Sequence, residues 1–444
     1  MDRSALGCVL RAHCQKSLQE DENLSKNEST EESPAANSRR YETGLVVLLF
    51  LTWGTVFLDR MSLVYLAPFI VPQLHLSHAQ VGLLTSVLAL AWAASSLIFG
   101  AISDRVGRRP ILIPTVFIFS VLSWVSGITQ RFGQLLLVRT LMGAAEGPTW
   151  STITATIEES SAPEHRGRNV GIVVSAAALV GHALAPVLTT QVAAHFGWRV
   201  AFFVAGVPGI ILGVFLWRYV REPKSSFRQA GGNATPSHQK VNVSDYLSLF
   251  RHRNIWLCCV ASAGFMTWLW VMHAFAPLYI TEVSKHSATF AGFVLGASGL
   301  GEFLWGWIFP WLSDRWGRKP VLLYVALVSA LVPLTYQMPF LISHPWLMGL
   351  AGFIANGGQG MAALVLVLIP TESVSPRFAG TAIGLSTLVG EIFGGTLAPA
   401  ISGSIADRHG LAAPLWIAAT GAILVFASGL LMRETAPRKL AAAR

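Results

Sequence analysis

Charged residues are scarce in this sequence. Asp, Glu, Lys and Arg make up 12% of the 444 residues, and hydrophobic residues make up 53%. Soluble globular proteins contain about 25% charged residues. A chain with half that charge would expose too much apolar surface to remain in water. The composition therefore excludes an ordinary soluble domain.

Cysteine is also rare, and the four present give no disulfide framework. Cys8 and Cys14 lie near the N terminus on either side of His13, in a polar stretch too short of apolar residues to fold. Cys258 and Cys259 lie in an apolar segment, where a cysteine usually behaves as a small hydrophobic residue. We expect no metal site.

Enzyme signatures are missing as well. The sequence contains no phosphate-binding loop, no metal-ligand cluster, no nucleophile–base constellation and no Gly-x-Ser-x-Gly elbow. The sequence also shows no apolar segment followed by a small-residue cleavage site, so it predicts no signal peptide. We therefore predict a protein that is not an enzyme and has no cofactor.

Long apolar runs fill most of the chain. About twelve runs of roughly 20 residues, the length that crosses a bilayer, lie between Leu45 and Met432 in two groups of six. The sequence predicts an all-α membrane protein with twelve transmembrane helices in two homologous six-helix bundles. The expected segments are a disordered tail (1–40), the first bundle (41–220), a linker (221–253), the second bundle (254–433) and a C-terminal tail (434–444).

The net charge of +9 is a signal of topology, not of nucleic-acid binding. Of the 32 Lys and Arg residues, 26 fall on one set of alternate loops and on the two tails. Positively charged loops are retained in the cytoplasm. We expect a multi-pass protein of the cell (inner) membrane, surrounded by lipid, with both termini in the cytoplasm and a functional monomer.

A charged motif occurs twice. The stretch GAISDRVGRRP (100–110) returns as PWLSDRWGRKP (310–320). Further landmarks recur at an offset of 213: Glu159 as Glu372, and Leu184-Ala-Pro186 as Leu397-Ala-Pro399. These repeats indicate two homologous halves, a pattern found in transporters whose binding site lies between the halves.

The doubled motif resembles the signature loop of the major facilitator superfamily, and the resemblance covers Gly44 to Met432. It implies that the charges of this loop form a latch between helix ends that favours the outward-open state. The implied latch residues are Asp104, Arg105, Arg108, Asp314, Arg315 and Arg318.

Four ionisable residues fall inside helices of the first half: Asp59, Arg60, Arg139 and Glu146. Charge at a membrane centre costs about 2.5–3.5 kcal/mol per residue by the gentlest scale, and such residues are functional by default. Arg139 and Glu146 are seven residues apart and share one helix face. A buried ion-pair network that only fixes packing is the alternative.

Two stretches, Leu58-Asp-Arg60 and Arg139 to Pro148 (RTLMGAAEGP), resemble the anion:cation symporter family, which includes sugar-acid importers and sialin. The resemblance implies that Arg60 and Arg139 bind a substrate carboxylate and that Asp59 and Glu146 carry coupled protons. It predicts proton-coupled import of a small organic anion by alternating access.

The second half lacks these charges. At the 210 offset, Asp59 and Arg60 become Leu269 and Trp270. Aromatic and amide groups read the neutral body of a ligand, which makes further residues candidate substrate ligands: Trp270, His273, Asn356 and Gln359.

Several alternatives remain open. An aromatic-acid importer of a sister family would share the anion and the proton. A proton-coupled efflux antiporter is disfavoured by two buried arginines, and a non-transporting anion sensor differs only in the absence of flux. The roles of three further buried ionisable residues are open: His182, Glu302 and Glu391.

Overall fold

The computed structural model of the chain describes residues 34–162, 164–221, 252–375 and 378–442. Cys8, Cys14 and most of the predicted linker lie outside these ranges. The described residues are overwhelmingly helical and include no β-strand. From Leu48 onward the helices belong to one compact unit.

Twelve long helices carry the fold of the described residues, and α1–α6 and α7–α12 are here called the first and second halves. Their bounds are α1 Pro34–Leu74, α2 His78–Val106, α3 Arg109–Ile128, α4 Phe132–Ser160, α5 Arg166–Phe196, α6 Trp198–Tyr219, α7 Arg253–Val283, α8 Ala288–Trp316, α9 Arg318–Thr335, α10 Trp346–Glu372, α11 Ala379–His409 and α12 Ala412–Leu431.

The first helix extends beyond the predicted first bundle. It begins at Pro34, so the last seven residues of the predicted tail (1–40) are helical. Polar end residues carry no hydropathy signal, although they continue the backbone hydrogen-bond ladder. Apolar length therefore underestimates how far a helix reaches.

Eleven of the described helices are long and apolar enough to cross a membrane; α4 is not among them. It has 29 residues, which is sufficient length, but it carries Arg139 and Glu146 together with several threonines. The helix that carries two of the predicted functional charges is therefore the one that hydropathy alone does not identify as membrane-spanning.

Matching local signals bound α2 and α8. Ser77 caps α2, since its hydroxyl accepts from the Gln80 N–H at 3.2 Å, and Ser287 caps α8 in the same way through the Phe290 N–H at 3.1 Å. At the other ends, Gly107 and Gly317 have φ of 104° and 109°. Glycine adopts this region readily, which explains the glycine that follows Ser-Asp-Arg in both copies of the motif.

A widened π-helical turn interrupts α5 at Ala177–Leu184 and α11 at Glu391–Leu397. Each ends at the leucine of the repeated Leu-Ala-Pro sequence. The proline has no N–H, and its ring clashes with the carbonyl four residues earlier. Such turns are frequent at functional sites, and these two contain His182 and Glu391.

The two halves pack closely through glycines at the end of the bundle where α2 and α8 begin. A Cβ on Gly82 of α2 would overlap the Pro399 carbonyl oxygen of α11. The matching contact in the other direction is between Gly292 of α8 and Pro186 of α5, at 2.6 Å from a Cβ position to the carbonyl oxygen. Only glycine allows backbones this close.

A charged bridge joins the halves at the same end. The Asp407 carboxylate at the end of α11 accepts the His78 and Ala79 backbone N–H groups of α2, at 2.8 and 3.0 Å. The His78 ring lies 3.1 Å from Asp407 and 3.3 Å from Glu282 of α7. Anions at a helix N terminus are favourable, so this end is held closed.

At the opposite end, which carries the two Ser-Asp-Arg motifs and is called the motif end, α5 and α11 face open space. Cβ positions built on four glycines there meet no described atom within 4 Å: Gly167, Gly171, Gly380 and Gly384. The halves are therefore in close contact at the first end, and these four glycines take no part in such a contact at the motif end.

We predict that Gly82→Ala separates the halves at the closed end. Thr190 is buried there, beside Gly292, so Thr190→Cys in a background without the four native cysteines reports the separation. Thiol labelling should become several-fold faster in Gly82→Ala. Gly384→Ala is the matched control and should not change it. Equal labelling rates in the two variants would contradict the conclusion that the contact at Gly82 holds the halves together at the closed end.

Candidate functional site

The four predicted intramembrane charges are all buried. Asp59 and Arg60 lie midway along α1, and Arg139 and Glu146 lie on α4. The most exposed of them is Arg60, at 3%. The structure therefore brings all four into the interior of the bundle and none to the lipid.

Arg139 connects α4 to α1. Its Nη2 donates to the Arg60 carbonyl oxygen at 2.8 Å, and its Nη1 lies 3.2 Å from the Met142 sulfur. Its Nε has no hydrogen-bond partner in the described part of the chain. A guanidinium with five N–H donors is thus only partly satisfied by protein.

Aromatic rings surround Arg60. The centre of its guanidinium lies 4.2 Å from the Trp270 ring of α7, 5.3 Å from Trp92 of α2 and 5.9 Å from Phe57 of α1. Cation–π attraction within about 6 Å stabilises a desolvated arginine. Its Nε and Nη2 have no hydrogen-bond partner among described residues.

Trp270 was predicted as a substrate ligand, and the structure places it against the predicted anion ligand Arg60. Trp92 and Phe57 were not predicted. Each lies in an apolar run where an aromatic residue has no distinguishing sequence signal.

The carboxylates are close to the arginines but unpartnered. Neither oxygen of Glu146 has a hydrogen-bond partner in the described ranges, and Asp59 has only the Ser123 hydroxyl beside it. Glu146 interacts electrostatically with both Arg60 and Arg139, and Asp59 interacts with Arg139. An unpaired buried carboxylate is expensive, so the arrangement is suited to protonation.

Glu391 is a fifth charged member of this group, and its role was left open by the sequence. It is buried at the start of the π-helical turn of α11 and interacts electrostatically with Arg60. The second half therefore contributes a carboxylate to the arginine site, which a search for equivalents at matching repeat positions misses.

His273 lies in a second group of buried side chains, beside the aromatic rings that surround Arg60. Its Nδ1 hydrogen bonds with the Leu269 carbonyl oxygen at 2.7 Å, and its ring centroid lies 4.4 Å from that of His182 on α5. The predicted ligand therefore belongs to a pair of histidines contributed by both halves.

Asn356 uses its amide within the protein. Its Nδ2 donates to the Ser298 hydroxyl at 2.9 Å, and its Oδ1 accepts from the Gly358 N–H at 3.1 Å. It thereby bridges a break in α10. Gln359 follows that break and faces Gly306 and Glu302 of α8. Substrate contact by either amide remains a prediction.

The comparison with family models identifies the chain. The model described as Major Facilitator Superfamily matches residues 48–395. The chain belongs to the Major Facilitator Superfamily. It is thus a multi-pass membrane transporter and not an enzyme, as the sequence predicted.

Two curated relatives of the chain are named as transporters of organic acids. A hexuronate transporter of Bacillus subtilis (strain 168) is 26% identical over 416 residues, covering 88% of this chain and 94% of the relative. A cis,cis-muconate transport protein of Acinetobacter baylyi is 27% identical over 378 residues, covering 80% and 88%.

Solved structures share the fold. The crystal structure of a bacterial homolog to the human lysosomal transporter Spinster, in an inward-facing and unoccupied conformation, matches with a TM-score of 0.68 at 20% identity. The match covers 90% of this chain and 95% of that one.

The two superfamily motifs form matching ion pairs. Arg108 binds Glu159 at the end of α4, at 3.0 Å, and Arg318 binds Glu372 at the end of α10, at 2.7 Å. Each arginine also donates to the motif serine, Ser103 or Ser313. The repeated glutamates seen in the sequence are therefore the partners of the repeated arginines.

The other predicted latch residues differ in their surroundings. Asp314 pairs with Arg318 at 2.7 Å, Arg315 lies over the Trp311 ring at 4.3 Å, and Arg105 is exposed. The side chain of Asp104 lies outside what the structure describes. The role of these residues as a latch stays a prediction.

We predict that Glu372→Gln destabilises the protein more than Glu159→Gln does. The Arg318 pair is shorter and more buried than the Arg108 pair. Losing a hydrogen bond to a charged group costs about 1.5–3 kcal/mol, and less where water replaces the partner. Thermal unfolding in detergent, followed by circular dichroism, should show the larger drop in melting temperature for Glu372→Gln. The reverse order would contradict the assignment.

Proposed function

We propose that this transporter is a symporter that moves a small organic carboxylate together with protons by alternating access. One observation supports it above all. Two buried arginines and three buried carboxylates form a single electrostatic group, in which most of the polar atoms have no protein partner. Such a group needs a ligand and protons to complete it.

The arginines are the proposed anion ligands. A guanidinium remains charged when buried and matches a carboxylate with two parallel N–H donors. Arg60 has Nε and Nη2 free among described residues, and Arg139 has Nε free. Both therefore retain donors for a substrate while the aromatic rings and the Arg60 carbonyl hold them in place.

The charge balance of the group couples anion to proton. Arg60 and Arg139 contribute two positive charges, and three carboxylates oppose them: Asp59, Glu146 and Glu391. The empty group is neutral with one proton bound, and a bound monoanion makes it neutral only with two. Because uncompensated charge is costly in a low dielectric, anion binding draws in a proton.

Asp59 and Glu146 are the proposed proton carriers. The oxygens of Glu146 have no hydrogen-bond donor in the described ranges that would hold it ionised, and Asp59 has only the Ser123 hydroxyl beside it. Glu391 is also a buried carboxylate, but of the two arginines it interacts only with Arg60. Desolvation favours the protonated form of a carboxyl group.

Substrate selection is assigned to the second half. Trp270 stacks against Arg60, so its ring and its unpartnered Nε1 face the site. His273, Asn356 and Gln359 lie further along α7 and α10 as candidates for the neutral body of the ligand. The names of the relatives support an organic acid, either a sugar acid such as a hexuronate or a diacid such as cis,cis-muconate.

The direction is proposed from the charge distribution of the loops. With the motif end in the cytoplasm, the bridge of His78, Asp407 and Glu282 closes the outer side, and the described state is open inward. The motif charges would then latch the cytoplasmic side in the outward-open state. Import down the proton gradient follows.

We predict that purified protein in liposomes, given an inward acid gradient, accumulates an organic acid from a panel of D-glucuronate, D-galactonate, cis,cis-muconate and benzoate. Arg139→Ala should lower the apparent affinity more than 10-fold, because an anion then lacks its second guanidinium. Arg139→Lys, which keeps the charge without the fork, should fall between.

Glu146→Gln tests the coupling. It should keep exchange of labelled for unlabelled substrate but lose accumulation driven by the gradient. Undiminished accumulation in Glu146→Gln would remove Glu146 from the proton role. Binding without any flux in the native protein would instead indicate an anion sensor, and acid-driven export would indicate an antiporter.

A further inference from the structure

Three buried ionisable side chains meet at the contact between the halves, apart from the arginine site. They are His182 of α5, His273 of α7 and Glu302 of α8, and one side-chain N or O atom of each lies within 4.8 Å of the others. The His182 Nδ1 and the Glu302 Oε2 are 2.9 Å apart. This group is called the histidine–glutamate cluster.

We propose that the histidine–glutamate cluster is a second proton-binding site, which adds one transported proton to those of Asp59 and Glu146. The proposal rests on the proposed proton coupling. It assigns a role to residues that the repeat and the signature motifs do not explain.

The charge of the cluster favours one bound proton. With both histidines neutral and Glu302 ionised, the cluster has a charge of −1; one additional proton makes it neutral and a second makes it +1. Among the described residues, Tyr65 of α1 and Gln359 of α10 face the cluster, and neither is a cation.

The protein holds the histidines so that a proton can be exchanged. The His273 Nδ1 is occupied by the Leu269 carbonyl, which leaves its Nε2 as the titrating nitrogen. The His182 Nε2 has no hydrogen-bond partner among described residues, and the Glu302 carboxylate has the Gln359 amide beside it. The Nε2 atoms of the two histidines therefore remain available to a proton or to entering water.

The cluster is coupled to conformation, because its 2.9 Å contact connects α5 of the first half with α8 of the second. Gly299 of α8 lets the helices approach, since a Cβ there would overlap the His182 carbonyl oxygen. Pro186, four residues after His182, cannot use that carbonyl. When the halves rock apart along this seam, a protonated His182 ring loses the Glu302 carboxylate that stabilises its positive charge, and the added proton is released to water.

The cluster also lies next to the arginine site. The Phe57 ring is 5.8 Å from the His182 ring and 5.9 Å from the Arg60 guanidinium. One aromatic side chain of α1 thus separates the two groups. Their charge states can influence each other while each binds its own proton.

A metal ion is the competing occupant, since two histidines and a carboxylate form a zinc ligand set. Ligand atoms around tetrahedral zinc lie about 3.3 Å apart, given bonds of about 2.0 Å. The His182–Glu302 distance of 2.9 Å is instead that of a direct charge-assisted hydrogen bond. The geometry favours a proton between the two atoms.

Equilibrium accumulation in liposomes tests the proposal. With the membrane potential clamped at zero, each coupled proton contributes a tenfold concentration ratio per pH unit. At a gradient of one pH unit, Glu302→Gln should lower the accumulation of the panel acid that the native protein carries by about 10-fold, with exchange of labelled substrate retained. Glu158→Gln, an exposed carboxylate, is the matched control and should not change it.

Other outcomes are equally decisive. Native-level accumulation in Glu302→Gln overturns the proposal. If Glu302→Gln lacks exchange altogether, His182→Gln decides in the same assay: a 10-fold loss supports the second site and an unchanged ratio overturns it. Stoichiometric zinc binding that is lost in Glu302→Gln, with accumulation unchanged, would identify a metal site instead. No accumulation by the native protein would refute the proposed function itself.

Discussion

The burial of guanidinium groups inside a membrane bundle is the constraint on which the rest of this structure depends. Arg60 and Arg139 are removed from water and bound by protein at only some of their donors. The protein stabilises them with aromatic rings, with one carbonyl and with carboxylates that themselves lack donors. Most polar atoms of the group have no protein partner among the described residues. The proposed need for a negatively charged cargo and for protons follows from this shortage.

The scaffold is symmetric, whereas the chemistry is not. Serine caps, a glycine turn, an arginine–glutamate pair and a proline-widened turn recur in both halves at offsets of 210 or 213. The charged Asp59-Arg60 pair has Leu269 and Trp270 as its counterpart. The scaffold therefore repeats its seam in both halves, whereas the charged centre takes four residues from the first half and only Glu391 from the second.

The features that local sequence signals encode could be predicted from the sequence. Apolar runs gave the helices, the doubled motif gave the two halves, and charge within an apolar run identified α4 as chemically important. It did not place Glu391 beside Arg60 or pair His182 with Glu302, because helix register over more than 100 residues decides both contacts. It noted the repeated Glu372 without its partner Arg318, since two charges at loop ends have many possible partners until the helices are packed.

The most direct test of the central claim is the number of protons taken up when the anion binds. Purified protein in weakly buffered detergent solution is mixed with a saturating organic acid from the transport panel, and the pH change is recorded near pH 7. The charge balance predicts net proton uptake on binding, with a smaller uptake in Asp59→Asn and Glu146→Gln. Binding confirmed by calorimetry with no proton uptake at any pH from 5 to 8 would contradict the coupling of cargo and proton through buried charge.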